Sequence, residues 1–262
     1  MTIEHHGHVS VERRTDGIAV VRLDHRGSRM NTISLEVVDG IAAAAHDLTR
    51  SPAKAVVLTG NDRLFSAGAE ISEFDPRHAR ALGCRFQEAF DAFAAIPRVT
   101  IAAVRRYALG AACELIQTCD LRLLADNARV GQPEILLGAI PGAGGTQRLT
   151  RLVGLAHAKD LVLSGRQITA ADAYRIGLAN ELVAEDELEN RALELAAEFA
   201  AGAVLAHAIA KRVLERGLDV PLVDALELEN QGWADAFATE DAEIGVRSFF
   251  ANGPGHAEFV AR

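Results

Sequence analysis

A chain of 262 residues that is 49% hydrophobic and 24% charged can bury a substantial core, which excludes disordered and fibrous classes. A formal net charge of −9, with no basic cluster beyond pairs such as Arg13-Arg14 and Arg105-Arg106, argues against a nucleic-acid partner. Cys84, Cys113 and Cys119 are too few and too irregularly spaced for a disulfide framework or a zinc site, so a reducing cytoplasm is expected.

The first residues, MTIEHHGHVSVERR, lack the apolar stretch of a signal peptide, and no run of about 18 apolar residues occurs to predict a membrane span. His5, His6 and His8 read as a frayed, solvated end rather than a metal cluster. The β-branched run Ile18 to Leu23 predicts a strand. After it, Leu35 to Leu48 carries apolar residues at helical spacing behind Ser34 as N-cap. Ala55 to Thr59 is a short apolar strand ended by Gly60, Ala81 to Ala95 a helix stopped before Pro97, and Val99 to Val104 another apolar strand. Ala111 to Cys119 reads as a buried helix of small residues, and Leu121 to Ala125 returns as a strand. Strands that are apolar throughout, separated by helices, predict an α/β unit with a sheet buried on both faces over roughly the first 200 residues.

From Thr146 onward helices dominate. Thr169 with Asp172 forms a capping pair, Gly177 a stop, and Glu187 to Ala200 a helix ended by Gly202. Leu222 to Phe237 has apolar residues at intervals of three and four, with Glu227, Glu229 and Asn230 on a polar face. The expected organisation is therefore an α/β core over residues 1–200 and a helical region over residues 201–262.

Three segments could carry chemistry. Val130 to Arg151, VGQPEILLGAIPGAGGTQRLTR, places one acid, Glu134, in an apolar, glycine-rich run. Tyr107 to Asp120, YALGAACELIQTCD, sets Glu114 among small and apolar residues. A carboxylate in dry surroundings is costly unless it is used, and two in separate settings suggest acid and base work. Leu58 to Phe74 holds the run Ser66-Ala67-Gly68-Ala69, where small side chains let a ligand approach exposed backbone N–H groups. Alone, such a run is as well read as a tight loop, Glu114 as a carboxylate favoured by a helix N-terminus, and Glu134 as a turn residue.

Order and spacing decide between these readings. Phe65-Ser66-Ala67-Gly68-Ala69-Glu70, then Gly110-Ala111-Ala112-Cys113-Glu114, then Gly131-Gln132-Pro133-Glu134 with Pro141-Gly142-Ala143-Gly144-Gly145, resemble in sequence order the F-x-A-G-A-D, G-G-G-x-E, G-x-P-E and P-G-x-G-G segments of the enoyl-CoA hydratase/isomerase (crotonase) family. A weaker likeness runs through Arg26 to Asn31 and the helical C-terminal third, so it covers nearly the whole chain. The resemblance implies an α/β spiral of β-β-α units with a helical trimerisation region, assembled as a homotrimer or hexamer. It implies an acyl-CoA substrate, no metal and no separate cofactor, since coenzyme A is part of the substrate, and no nucleic-acid or membrane partner.

Carried over residue by residue, the resemblance implies that Ala69 and Ala111 offer backbone N–H groups to the thioester oxygen as an oxyanion hole. Glu114 and Glu134 would flank a water that adds to the double bond, Glu114 orienting it as base and Glu134 protonating carbon 2. Gly68, Gly110 and Gly142 would face the substrate, Ala67 and Ile71 line the adenine and pantetheine path, and Arg26 and Arg29 meet coenzyme A phosphates. Phe259 and Arg262 would close the coenzyme A site of the same or a neighbouring subunit. An enoyl-CoA hydratase is the activity implied. An isomerase, which needs one carboxylate, and a catalytically weakened thioester-binding homologue are the alternatives, while a purely structural protein would leave both acids unexplained.

Several positions depart from the family pattern. Arg106, Ala111 and Ala112 stand where glycine is usual, Gly27 where proline is, and Glu70 where aspartate is commoner. The methyl group of Ala111 is expected to narrow the site and to disfavour a positive φ there.

Overall fold

The computed structural model describes residues 1–262, and it opens with a hairpin rather than a loose end. Strands β1 (Thr2–His6) and β2 (Val9–Arg13) pair antiparallel around Gly7, whose φ of +62° suits the tight reversal. This corrects the expectation of a frayed N-terminus. Val9 and Val11 are fully buried, and Arg13 pairs with both Glu4 and Asp47, tying the hairpin to the helix that follows. The side chains of β1 are mostly polar and exposed, Ile3 included among the exposed ones, so the sequence of that strand alone has no apolar pattern to read.

β3 (Ile18–Leu23) continues the sheet antiparallel to β2. Helix α1 (Leu35–Arg50) starts where predicted, with the Ser34 hydroxyl accepting from Val37 N–H at 3.3 Å. Then come β4 (Ala55–Thr59), α2 (Ala79–Ala94), β5 (Val99–Val104), the short β6 (Tyr107–Leu109), α3 (Ala111–Ile116), β7 (Leu121–Ala125) and the short β8 (Arg129–Gly131). The α3 helix is shorter than the predicted run to Cys119. Thr118 turns its N–H and its hydroxyl onto the Leu115 carbonyl, and Cys119 N–H bonds Ile116, so the chain tightens into turns instead of adding an α-helical turn.

Helix α4 (Gly145–Ser164), β9 (Gln167–Thr169), α5 (Ala170–Arg175), β10 (Glu181–Val183) and α6 (Leu188–Ala201) complete the core, followed by α7 (Val204–Gly217), α8 (Leu222–Phe237) and α9 (Glu240–Asn252). The Thr169 hydroxyl caps α5 by accepting from Asp172 N–H, as its spacing predicted.

The strands make a seven-stranded sheet in the order β1-β2-β3-β4-β5-β7-β10, parallel from β3 onward, and a small sheet β6-β8-β9. An isolated bridge from Ser66 to Ala108 adds the segment after β4 to the small sheet. From β4 to α4 each pass of the chain thus gives one strand to the large sheet, a short extended segment to the small sheet, and then a helix, which is the spiral of β-β-α units. Every residue of β4 is buried, with α6 packed on it and on its neighbours β3 and β5, while α1, paired with α2, lies against β1 and β2. In the helical region, Lys211 of α7 reaches Asp120 at 2.9 Å, and that carboxylate also accepts from Thr100 N–H and hydroxyl. Helices α8 and α9 project beyond the core with Leu222, Val223, Trp233, Phe237 and Phe250 exposed.

The segment between β3 and α1 is fixed by one side chain. Asn31 is 1% exposed and has a φ of +49°, a conformation asparagine tolerates better than most residues. Its amide donates to the carbonyls of Leu23 and Phe65 and accepts from His25 N–H. It therefore joins the end of β3 to the Phe65–Gly68 loop. Asn31→Ala removes all three bonds and is expected to destabilise the fold by about 3 kcal/mol, given roughly 1–3 kcal/mol for each buried group left unpaired. Chemical denaturation of both chains measures this, and an unchanged midpoint would contradict it.

Candidate active site

Two glycines set the backbone that carries the predicted oxyanion hole. Gly68 has φ +106°, and a methyl added to it would lie 2.6 Å from the Leu109 carbonyl oxygen and 3.7 Å from the Ala111 nitrogen. Gly110, at the turn from β6 into α3, has φ +53° and ψ −125°, a region essentially restricted to glycine. The chain thus brings Ala69 and Ala111 to adjoining turns. Parallel pairing with Ile33 uses Gly68 O and Glu70 N–H, leaving Ala69 N–H pointing the other way. Gly110 N–H is bonded to Gly131 O and Glu114 N–H to Gly110 O, while neither Ala69 nor Ala111 N–H meets an acceptor of the protein. Unpaired N–H groups beside a core are rare, and two together make a site for a developing negative charge.

The expectation about Ala111 is corrected here. The positive φ falls on Gly110, and Ala111 is the first residue of α3 with no such strain, so its methyl group does not oppose the turn. Arg106 does take a left-handed φ, +58°, and its guanidinium meets Glu185 at 3.2 Å on the surface.

Glu114 is 2% exposed, on the first turn of α3. Its Oε1 accepts from Ala143 N–H at 2.7 Å and Gly145 N–H at 2.8 Å. The carboxylate thereby sits at the N-terminus of α4, a different helix from its own, where free N–H groups and the helix dipole favour negative charge. Gly145 is required for the approach, since a methyl group there would stand 2.9 Å from Glu114 Oε1 and 2.6 Å from the Gln132 amide. Burial raises the Glu114 pKa, and the two N–H groups with Arg148 oppose that rise.

Glu134 lies on a single 3₁₀ turn, Pro133–Leu137, after β8. Burial raises its pKa to about 7, and the charge of Glu114 adds to the rise. A methyl group on Gly110 would come within 3.0 Å of Glu134 Oε1, so this carboxylate borders the turn that carries Ala111. Two nearby carboxylates are thus held differently. Burial raises both pKa values; at Glu114 the N–H groups of Ala143 and Gly145 offset part of the rise, and Glu134 keeps a proton near neutrality.

The remaining predicted positions divide. Ala67 stands in the same loop, its N–H bonded to Met30 O at 3.0 Å, which brings the Arg26–Asn31 segment beside it. Gly142 precedes Ala143, and its carbonyl accepts from Gln87 of α2 at 3.0 Å. Ile71 is exposed on the turn after Ala69. Arg26 and Arg29 are exposed, Arg26 lying 3.9 Å from Asp24 on the outer side near His8. Phe259 and Arg262 are not brought to these segments of their own chain. The tail is tied to α9, where the Asp241 carboxylate accepts from Val260 and Ala261 N–H and Phe259 packs by Gly245. Residues not singled out from the sequence are Asn31 and the buried amides Gln117 and Gln132, whose polar type inside apolar runs was the signal available.

The model of the family described as enoyl-CoA hydratase/isomerase matches residues 13–256. The chain is 38% identical over 242 residues to 2,3-dehydroadipyl-CoA hydratase of Escherichia coli, covering 92% of this chain and 94% of that one. It is 36% identical over 237 residues to short-chain-enoyl-CoA hydratase of Clostridium acetobutylicum, covering 88% and 90%. An enoyl-CoA hydratase structure from Geobacillus kaustophilus superimposes with a TM-score of 0.93 at 30% identity, covering 100% of this chain and 99% of that one.

A carboxyl group whose native pKa is raised binds a proton that the unfolded chain has already lost. For Glu134 the native state therefore holds more protons between the unfolded value of 4.5 and about 7, and its contribution falls as pH rises through that window. Glu134→Gln, neutral throughout, is expected to gain melting temperature over the wild type as pH is raised from 4.5 to 8, with little difference at the acid end. A difference constant with pH would contradict the raised pKa.

Proposed function

The chain belongs to the enoyl-CoA hydratase/isomerase family, and we propose that it adds water syn across the 2,3 double bond of a trans-2-enoyl-CoA to give a 3-hydroxyacyl-CoA. The observation that carries this reading is the meeting of two unpaired N–H groups, on Ala69 and Ala111, with two carboxyl groups held by different partners, Glu114 by two N–H groups at the start of α4 and Glu134 with a proton kept near neutrality. Hydration of a conjugated thioester needs both. As water attacks carbon 3, electron density moves through carbon 2 onto the thioester oxygen, and the two amides stabilise it there. Each such donor contributes about 3 kcal/mol to lowering the barrier.

The proton inventory closes on the chain's own groups. In its carboxylate form, aimed by the N-terminus of α4, Glu114 takes a proton from the attacking water. Glu134 gives its proton to carbon 2 as the enolate collapses. The pair holds one proton before and after, moved from Glu134 to Glu114, and its return to Glu134 resets the site. No metal or redox step enters. An isomerase would need Glu134 alone and would leave Glu114 idle at the end of α4, and a binding protein would leave both idle.

Relatives named for a short-chain and for a dicarboxylic acyl-CoA share this chain's length and family, so the proposal concerns the reacting end of the substrate. Arg26 and Arg29, with Ala67 and Ile71, are proposed to meet the coenzyme A portion that passes over the Phe65–Gly68 loop. The exposed apolar faces of α8 and α9 support assembly as a homotrimer or hexamer, which would also bring Phe259 and Arg262 of one subunit to another. A cytoplasmic setting fits the free cysteines.

Loss of the conjugated enoyl-thioester absorbance with crotonyl-CoA and with a longer trans-2-enoyl-CoA tests the reading. Glu114→Gln and Glu134→Gln are each expected to lower kcat roughly 10²–10⁴-fold, the usual contribution of a positioned acid or base. Turnover that survives in Glu114→Gln with only Glu134 required would favour isomerisation, and no turnover with retained thioester binding would favour the binding protein.

A further inference from the structure

Behind Glu134 lies a line of buried polar groups that the hydration scheme does not use. Gln132 is 0% exposed and Gln117 6%, the latter at the C-terminal end of α3. Amide nitrogen and oxygen are told apart by their partners. With Nε2 toward Glu134, Gln132 donates to Oε1 at 3.1 Å and Oε2 at 3.3 Å, and its own oxygen accepts from Gln117 Nε2 at 3.1 Å. Gln117 Nε2 also reaches Cys113 Sγ at 3.5 Å. The bonds from Gln117 to Gln132 and from Gln132 to Glu134 all point toward Glu134 and suit its carboxylate form.

The opposite wiring is equally self-consistent at the same positions. If both amides turn end for end, a protonated Glu134 donates to the Gln132 oxygen. Gln132 Nε2 then donates to the Gln117 oxygen, which has a second lone pair for the Cys113 S–H. Cys113 has that hydrogen to give, because full burial holds its thiol protonated. The outer end of Gln117, whose Oε1 is buried without a partner, lacks one in either wiring and does not choose between them.

We propose that Gln132 and Gln117, backed by Cys113, form a reversible hydrogen-bond relay that holds Glu134 in one place in both of its protonation states. The proposal rests on the reading of Glu134 as the group that gives a proton to carbon 2. No proton passes along the relay; only the direction of its hydrogen bonds changes when Glu134 loses or regains one. Such an acid must be left as a carboxylate in mid-reaction without swinging away from the substrate. Gly110 hems it on one side, and the relay holds it on another. The titratable neighbours are Glu114 and Cys113, both on α3, while Arg148 of α4 acts on Glu114. Gln132 and Gln117 are thus positioning residues, acting through Glu134.

Carbon-13 NMR of glutamate carboxyl groups reads the relay without turnover, with Glu134→Gln assigning the signal. A hydrogen bond to a charged acceptor is stronger than one to its neutral form, so loss of the relay should raise the Glu134 midpoint. Gln132→Met is expected to raise it by about one unit, a tenfold change in the ratio of forms, and Gln117→Met by a smaller step. In the hydration assay the basic limb of the pH profile should move up with it, with kcat falling several-fold and KM little changed, a split that separates positioning from binding. An unmoved midpoint in folded Gln132→Met and Gln117→Met would overturn the relay. If Gln132→Met does not fold, Gln117→Met carries the test. A wild-type chain that hydrates no enoyl-CoA would overturn the hydratase reading, and the NMR midpoints would still decide the relay.

Discussion

Two backbone N–H groups kept from every acceptor of the protein are the constraint on which this structure turns. A chain normally pairs such groups, and in each case a neighbour has been arranged so that pairing does not happen. Ile33 takes the groups on either side of Ala69, and Gly131 takes Gly110 N–H while leaving the next residue free. Both arrangements need a glycine in a left-handed conformation, at positions 68 and 110. They also need the Phe65–Gly68 loop in register with β6, which the Ser66–Ala108 bridge supplies. A methyl group on Gly60 would stand within 2.5 Å of three backbone atoms of Leu64 and Phe65, so even the exit from β4 is packed to hold this loop in place.

The same economy of partners divides the two carboxylates. The N-terminus of α4 has free N–H groups to satisfy, and Glu114 reaches across from α3 to satisfy two of them. Glu134, on a short 3₁₀ turn after β8, instead meets its own backbone N–H and the Gln132 amide. Burial raises the pKa of both acids, and the donors that offset part of the rise differ between them. The two acids thus differ in what holds them, and the roles proposed for them in hydration rest on that difference.

Much of this was legible in the sequence, for physical reasons that differ by element. Strands β3, β4, β5 and β7 are apolar on both faces and announced themselves, as did α1 through Ser34 and α5 through Thr169. Glu114 and Glu134 stood out because each was an acid in an apolar run. The β1 strand was not legible, since its mostly exposed and polar residues owe their conformation to pairing with β2. The short strands β6, β8 and β9 carry only three residues each and take their form from the small sheet. Which of Gly110 and Ala111 would bear the positive φ could not be read from composition, because it depends on where α3 begins. The Gln117–Gln132 contact joins α3 to the end of β8, and only the fold brings those residues together.

The central claim is that Ala69 and Ala111 N–H groups converge on a thioester oxygen, and that oxygen can be observed directly. An infrared difference spectrum of a carbonyl-¹³C-labelled trans-2-enoyl-CoA bound to Glu134→Gln, in which turnover is slowed, reports the strength of the thioester carbonyl bond. The account predicts a clear shift of that stretch to lower frequency on binding, as two preorganised donors draw charge onto the oxygen. A bound thioester whose carbonyl stretch matches that of the free compound would contradict it.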